Sequence, residues 1–340
     1  MIYFDVTKSG RARHASGLMR VNRRLLEELG ATATPVVWGK WDGRVTAADW
    51  FFTTETFDSQ SRPGFMEFVE SRRCRTAAVF PDAIPLQHPQ ITWPHSVARH
   101  PRFMTELARF DQVFAISAET KRRLEKFWRW QDSVAPRAEV GVLPLGADFD
   151  RAPRCASVAT PVTPPKLVCV GIVEPRKNQA FLARVCEQLW AEKAVFELHI
   201  VGRPNPHFGA PIVDELNRVS TRFPALRYHP SLDDAGLARL LDGARAVIFP
   251  TIAEGCGLPI LESLWRGLPC ICSDLPVLRE NTDAGGCLAL PTNDGQAWAN
   301  GIRKVISNSA LWARLADEAA SRELPTWRDS AETVRAQFAV

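Results

Sequence analysis

The stretch AVIFPTIAEGCGLPILESLWRGLPCICSDLPVLRE, residues 246–280, decides how the chain is read. Its opening AVIFP is a short apolar run of the kind that forms a buried strand. A loop follows, Glu254-Gly255-Cys256-Gly257, with two glycines. The chain then enters a helix with Pro259 near its first turn, where a missing N–H costs nothing, and Glu262 is expected inside that turn. Strand, glycine loop and helix start together make an anion site, because unpaired backbone N–H groups and the helix dipole converge there.

Two carboxylates repel a bare phosphate. They accept hydrogen bonds from hydroxyls, however, so Glu254 and Glu262 suit a ligand that carries both a diphosphate and sugar hydroxyls. A nucleotide sugar is such a ligand. Taken singly, each residue also has a plain reading: Glu262 as a charge favoured by the helix dipole, Glu254 as a solvated loop residue. A second segment points the same way. KLVCVGIV, residues 166–173, is an apolar strand followed by Glu174-Pro175-Arg176-Lys177-Asn178 and a helical stretch to about Lys193. An Arg fork and a Lys point charge at the carboxyl end of a strand suit a diphosphate. The plain alternative is a solvated basic turn with Asn178 as an N-cap.

Outward from these segments the pattern repeats. Apolar runs recur at 2–6, 76–80, 112–116, 139–143, 166–173, 196–201, 245–249 and 268–272, with helical stretches between many of them. Alternation of this kind implies parallel sheets covered on both faces. A chain of 340 residues suits two domains. RAPRCASVATPVTPP, residues 151–165, has no period and reads as a linker. The expected division is 1–152, a linker at 153–165, 166–322, and a final helix in 323–340 capped near Thr326 or Asp329. In the N-terminal half, SGLMRVNRRLLEEL places Leu18, Val21, Leu25, Leu26 and Leu29 at helical spacing.

Composition narrows the options. The net charge of +4 does not call for nucleic acid. The eight cysteines are scattered without a C-x-x-C pair, which argues against structural zinc. No secretory signal or long apolar run is evident, and a reducing cytoplasm is the expected compartment.

The frame EGCGLPILESLWRGLPCICSD resembles the E-x7-E signature of the retaining, GT-B-fold glycosyltransferases of family GT4, with Glu254 and Glu262 as its two glutamates. GIVEPRKN is similar to that family's G-x-x-x-x-R-K-N segment, with Gly171, Arg176 and Lys177 at the matching positions. The resemblance implies two Rossmann-like α/β domains whose sheets face an interdomain cleft. It also implies a final helix that crosses back to the N-terminal domain. By the same resemblance Glu254 orients a donor hexose, Glu262 binds the nucleotide ribose, and Arg176 and Lys177 hold the diphosphate. Gly255, Cys256, Gly257 and Leu258 lie at the donor, and Gly17 matches a glycine near its phosphate. No metal or cofactor is implied, since Arg176 and Lys177 stand in for the ion. Pro81 occupies a position where the family commonly has histidine, so no histidine receives a catalytic role; Asp82 is retained. The implied reaction moves a hexose from a nucleoside diphosphate sugar to a saccharide or lipid-linked saccharide, in bacterial polysaccharide or O-antigen synthesis. DAIPLQHP is similar to a segment of some mannosyl- and rhamnosyltransferases, which makes GDP-mannose the first donor to consider. The alternatives are a non-catalytic GT-B scaffold that binds a glycan or partner transferase, and another GT-B enzyme such as an epimerase or phosphorylase.

Two further segments invite readings. Lys121–Trp130 mixes basic and aromatic residues on one helix. That suits peripheral contact with the inner membrane face, or an ordinary helix with Leu124, Phe127 and Trp128 turned to the core. PLQHPQITWPHSVARHP gathers His88, His95 and His100 in what reads as a proline-rich loop. Asp82, His88, Trp93 and His95 are acceptor-side candidates; Trp93 either stacks on a sugar ring or fills the core.

Overall fold

Most strands are carried back to the same end of their sheet by a helical crossover, the usual connection between parallel strands. The computed structural model describes residues 1–11, 17–58, 60–149, 151, 153–155 and 162–339. The chain forms two compact units, one of residues 1–149 with 325–340, the other of residues 150–324.

The first unit contains strands β1 Ile2–Asp5, β2 Ala33–Val36, β3 Trp50–Thr53, β4 Arg75–Phe80, β5 Gln112–Ala115 and β6 Glu139–Val142. They pair in parallel in the order β2-β1-β3-β4-β5-β6. Helices α1 Gly17–Leu29, α2 Phe65–Glu70, α3 Ile84–Gln87, α4 Pro94–Leu107 and α5 Ala118–Trp130 connect them. On one face, Phe51, Phe65, Phe68, Phe103, Phe110 and Trp128 are buried together.

The second unit contains β7 Lys166–Val170, β8 Glu197–Val201, β9 Leu226–His229, β10 Ala246–Phe249, β11 Cys270–Ser273 and β12 Cys287–Leu290. Their order is β12-β11-β10-β7-β8-β9, again parallel. Its helices are α6 Gln179–Ala191, α7 Ala210–Arg222, α8 Asp234–Leu241, α9 Leu258–Trp265, α10 Pro276–Thr282, α11 Gly295–Ser307 and α12 Ser309–Ser321. Leu182, Leu189, Leu216 and Ile302 cover one face of this sheet. Leu241, Ile260, Leu264 and Leu278 cover the other. From β7 the strands run outward to β9; the chain then returns to β10 on the other side of β7 and runs the opposite way. β7 and β10 therefore flank the point where the strand order reverses, and in open α/β sheets the crevice that takes a ligand lies outside the carboxyl ends of the strands at such a point.

Helix α13, Trp327–Phe338, belongs to the first unit and packs on α1. A capping box joins Thr326 and Asp329 at its start. Asp148 accepts the Trp327 N–H at 2.8 Å, and Phe338 stacks on Trp50 with centroids 4.0 Å apart. Gly146 makes this docking close: a Cβ there would lie 2.3 Å from the Trp327 nitrogen.

Four strands escape the sequence reading. β2, β9 and β12 are sheet edges, half wetted; β2 and β9 lack a continuous apolar run, β2 even holds Pro35, which an edge tolerates, and β12 is apolar but only four residues long. β3 is wholly buried but only four residues long. The expected linker falls partly on residues 152 and 156–161, outside the described residues. Its described parts are tied to the second unit, with the Cys155 N–H donating to the Trp265 carbonyl and the Val162 N–H to that of Gly243.

The histidine-rich segment is not a loop. It folds as α3, a 3-10 turn at Pro89–Ile91, and α4, each with a proline in its first turn. In α5, Leu124 and Trp128 are buried and Phe127 packs partly beside them, while Arg123 pairs with Glu119 at 2.7 Å. That is the ordinary amphipathic arrangement, although Trp130 remains 77% exposed. Among the described residues no helix is long and apolar enough to cross a membrane.

Candidate functional site

The crevice between the ends of β7 and β10 is where the charged residues gather. After β7 the chain passes through Gly171, whose φ of 151° leaves the side-chain stem of Lys177 lying over it. The 3-10 turn Pro175–Lys177 then presents both cations. Asn178 does occupy the N-cap of α6, but through left-handed backbone geometry; its side-chain amide donates instead to Asn293 at 2.8 Å.

Past β10, residues 251–254 fold back onto that turn. The Ile252 N–H donates to the Arg176 carbonyl at 2.9 Å. Glu254 Oε1 accepts three hydrogen bonds, from Lys177 Nζ at 2.6 Å, Arg176 Nη1 at 2.9 Å and Thr251 Oγ1 at 2.7 Å. Arg176 also pairs with Glu174 at 2.8 Å, and Glu174 accepts from the Asn205 amide at 2.9 Å. The Lys177 ammonium lies 4.7 Å from the centre of the Phe249 ring. Glu254 is only 7% exposed, so it is not a solvated loop residue. Burial pushes its carboxyl pKa up, but the charges of Lys177 and Arg176 and the hydrogen bonds from Lys177 and Thr251 together hold it below the usual range. Burial lowers the pKa of Lys177, and its contact with Glu254 opposes this.

The glycine loop is fixed separately. The Asn281 amide donates to the Cys256 carbonyl at 2.7 Å. Burial pushes the Cys256 thiol up to about 12, which keeps it neutral. Gly257 caps α9 with φ 92° and ψ 46°, and a Cβ on it would lie 2.5 Å from Leu278 Cδ2. Gly257→Ala is therefore expected to destabilise the chain by about 1–3 kcal/mol, the usual cost of an L-residue held in a strained region; chemical unfolding of the two proteins measures it. Leu258 opens α9, with Pro259 in its first turn. Glu262 is the fifth residue of that helix, beyond the first turn where it was expected, and is half-buried.

Among the sequence-derived candidates, Gly171, Arg176, Lys177 and Glu254 come together, with Gly255–Leu258 continuous with them. Gly17, Asp82, His88, Trp93 and His95 lie in the first unit. Gly17 starts α1. The Asp82 carboxylate accepts the Ile84 N–H at 2.9 Å, and His100 Nε2 lies 2.9 Å from the Asp82 carbonyl oxygen. His88 ends α3, and His95 lies in the first turn of α4. Trp93 is 43% exposed and so is not a core residue; its ring centroid is 4.9 Å from that of His95. Among the described residues no three His, Cys, Asp or Glu side chains gather as a metal ion requires. The sequence reading missed Thr251, Glu174, Asn205 and Asn281. Only Thr251, a hydroxyl three residues before a carboxylate at a strand end, carried a local signal.

The segment that carries these residues is similar to known proteins. Residues 164–308, which span β7 to α11, match the family described as Glycosyl transferases group 1. The serotype-specific mannosyltransferase WbdA of Escherichia coli is 30% identical over 245 residues, covering 64% of this chain and 29% of that protein. The O-antigen chain mannosyltransferase B of Escherichia coli is 30% identical over 148 residues, 43% of this chain and 38% of that protein. This chain thus spans well under half the length of these relatives. The sucrose-phosphate synthase from Thermosynechococcus elongatus superposes with a TM-score of 0.70 over 99% of this chain and 98% of its own, at 17% identity. That likeness shows a shared GT-B fold of two Rossmann-like units. The segment that builds the Glu254 crevice is thus the part of the chain that is similar to the glycosyl transferases group 1 family.

Proposed function

We propose that the chain is a retaining glycosyltransferase that moves a hexose from a nucleoside diphosphate sugar to a saccharide hydroxyl in polysaccharide synthesis. The observation that carries this reading is the convergence of Arg176, Lys177 and Thr251 on one oxygen of Glu254. With Oε1 taken, Oε2 is left to accept from a donor-sugar hydroxyl. The two cations stand where a leaving diphosphate needs positive charge, next to the glycine-capped start of α9, where the helix dipole favours an anion.

In this reading the bond from the anomeric carbon to the diphosphate oxygen breaks, and its electron pair leaves with the diphosphate. The acceptor hydroxyl attacks the same face and forms the new C–O bond, and its proton goes to a leaving-group oxygen. No residue serves as a covalent nucleophile. Glu262, on α9, binds the ribose. Trp93 offers an exposed ring to an acceptor sugar. Mannose is the first donor sugar to test, because WbdA and the O-antigen chain mannosyltransferase B are both mannosyltransferases by name.

The test is release of GDP from GDP-mannose, with and without mannose-containing oligosaccharides, together with product analysis at the anomeric centre. Acceptor-dependent release with retained configuration supports the proposal; an inverted product contradicts it. Glu262→Ala is expected to weaken nucleotide binding by about 10- to 100-fold, the worth of a hydrogen bond to a charged group, as measured by titration calorimetry. Unchanged affinity would remove Glu262 from the nucleotide site.

A further inference from the structure

Thr251 is fully buried at the end of β10, and nothing about its residue type assigns it to the site. Its hydroxyl oxygen lies 2.7 Å from Glu254 Oε1, and 3.1 Å from the carbonyl oxygens of both Arg176 and Ala253. One hydroxyl carries one proton. Of three acceptors, the ionised carboxylate is the closest and makes the strongest bond, so the proton goes to Glu254. The next residue, Ile252, donates its N–H to the Arg176 carbonyl. Residues 251–252 therefore join the end of β10 to the turn that carries both cations.

The two cations alone do not fix the carboxylate. Each is a long side chain with several rotatable bonds, whereas Thr251 is a β-branched residue with a restricted χ1, and its backbone leaves a strand. Its hydroxyl is the donor on Oε1 held by the fewest rotatable bonds. We infer that Thr251 is a positioning residue for the transfer reaction: it holds Oε1 in place and so aims Oε2 at the donor sugar. This rests on the proposed reading of Glu254. The bond also implies a pH dependence. Around Glu254, the facing charged groups are Lys177, Arg176 and, through Arg176, Glu174. The hydroxyl is one of the groups that hold the Glu254 carboxyl pKa down. Removing it raises that pKa, so any step that needs the carboxylate fails at a higher pH.

The experiment compares Thr251→Val, which keeps the shape and loses the hydroxyl, with Thr251→Ser, which keeps the hydroxyl. GDP affinity, GDP-mannose turnover and its pH profile, and thermal unfolding against pH are measured on the full chain. Thr251→Val is expected to keep GDP affinity within about twofold and to lose about tenfold in kcat, roughly one hydrogen bond's worth. Its acid limb is expected to move to higher pH, and Thr251→Ser is expected to restore both. In unfolding, the deficit of Thr251→Val relative to the wild type is expected at neutral pH and to shrink as Glu254 is protonated. Wild-type kcat and pH profile in Thr251→Val overturn the inference, as does an equal loss of kcat in both variants. A wild type that neither binds GDP nor turns over GDP-mannose counts against that donor, while the unfolding comparison still decides: a deficit independent of pH overturns the contact between Thr251 and the ionised Glu254.

Discussion

Lys177→Ala is expected to lower turnover by about 10²–10³-fold, the usual loss when one preorganised stabiliser of developing charge is removed, while changing donor affinity far less. Lys177 is held on Glu254 at 2.6 Å, with its stem over Gly171 and its ammonium against Phe249. A cation fixed in place before the donor arrives reorganises little during the reaction. Its electrostatic effect grows as charge builds on the leaving diphosphate, so its loss falls on kcat more than on binding. Arg176 has its own contacts with Glu254 and Glu174, so in the proposed reading part of the diphosphate contact is expected to survive. Steady-state kinetics with separate titration of the nucleotide distinguishes the two effects. A variant that loses affinity and keeps kcat would place Lys177 in ground-state binding instead.

Glu254→Ala is expected to abolish measurable transfer and also to destabilise the fold by about 3–5 kcal/mol, the cost of leaving a buried charge without its partner. Lys177 is nearly buried, with 11% of its side chain exposed, and Glu254 is the carboxylate it touches. Arg176 suffers less because Glu174 stays. The destabilisation has a pH signature. Glu254 has a lower carboxyl pKa in the folded chain than in the unfolded one, where about 4.3 is usual for Glu. Its ionised form therefore stabilises the fold fully above that unfolded value, and the contribution disappears as pH falls through the folded value. The stability gap between wild type and Glu254→Ala should be wide at neutral pH and narrow on acidification. A gap independent of pH would mean that packing, not the ion pair, sets the cost.

Much of this site was legible because its parts come as spaced pairs. Glu254 with Glu262, and Gly171 with Arg176-Lys177, each combine a strand end, a glycine and charged residues in a fixed frame, and such frames survive chance better than single residues do. What the sequence did not disclose was how these parts meet. Glu254 and Lys177 are 77 positions apart; only the return of β10 to the flank of β7 puts them in contact. Glu174 and Asn205 are ordinary polar residues until that register is known. Pro85, Pro89 and Pro94 misled in the opposite sense. Prolines crowd loops, but here each sits in the first turn of a helix or 3-10 turn, where the missing N–H costs little. The edge strands β2 and β9 were hidden because a half-wetted strand needs no continuous apolar run.

The most direct test of the central claim, that the Glu254 crevice is a nucleoside diphosphate sugar site, is thermal unfolding of the chain with GDP, UDP, ADP and dTDP in turn. A nucleotide at about a hundred times its dissociation constant stabilises the fold by about 2.7 kcal/mol, enough to move the midpoint visibly. The account predicts that one of the four stands out and that its effect weakens in Glu262→Ala. A folded sample whose midpoint none of the four moves would contradict it.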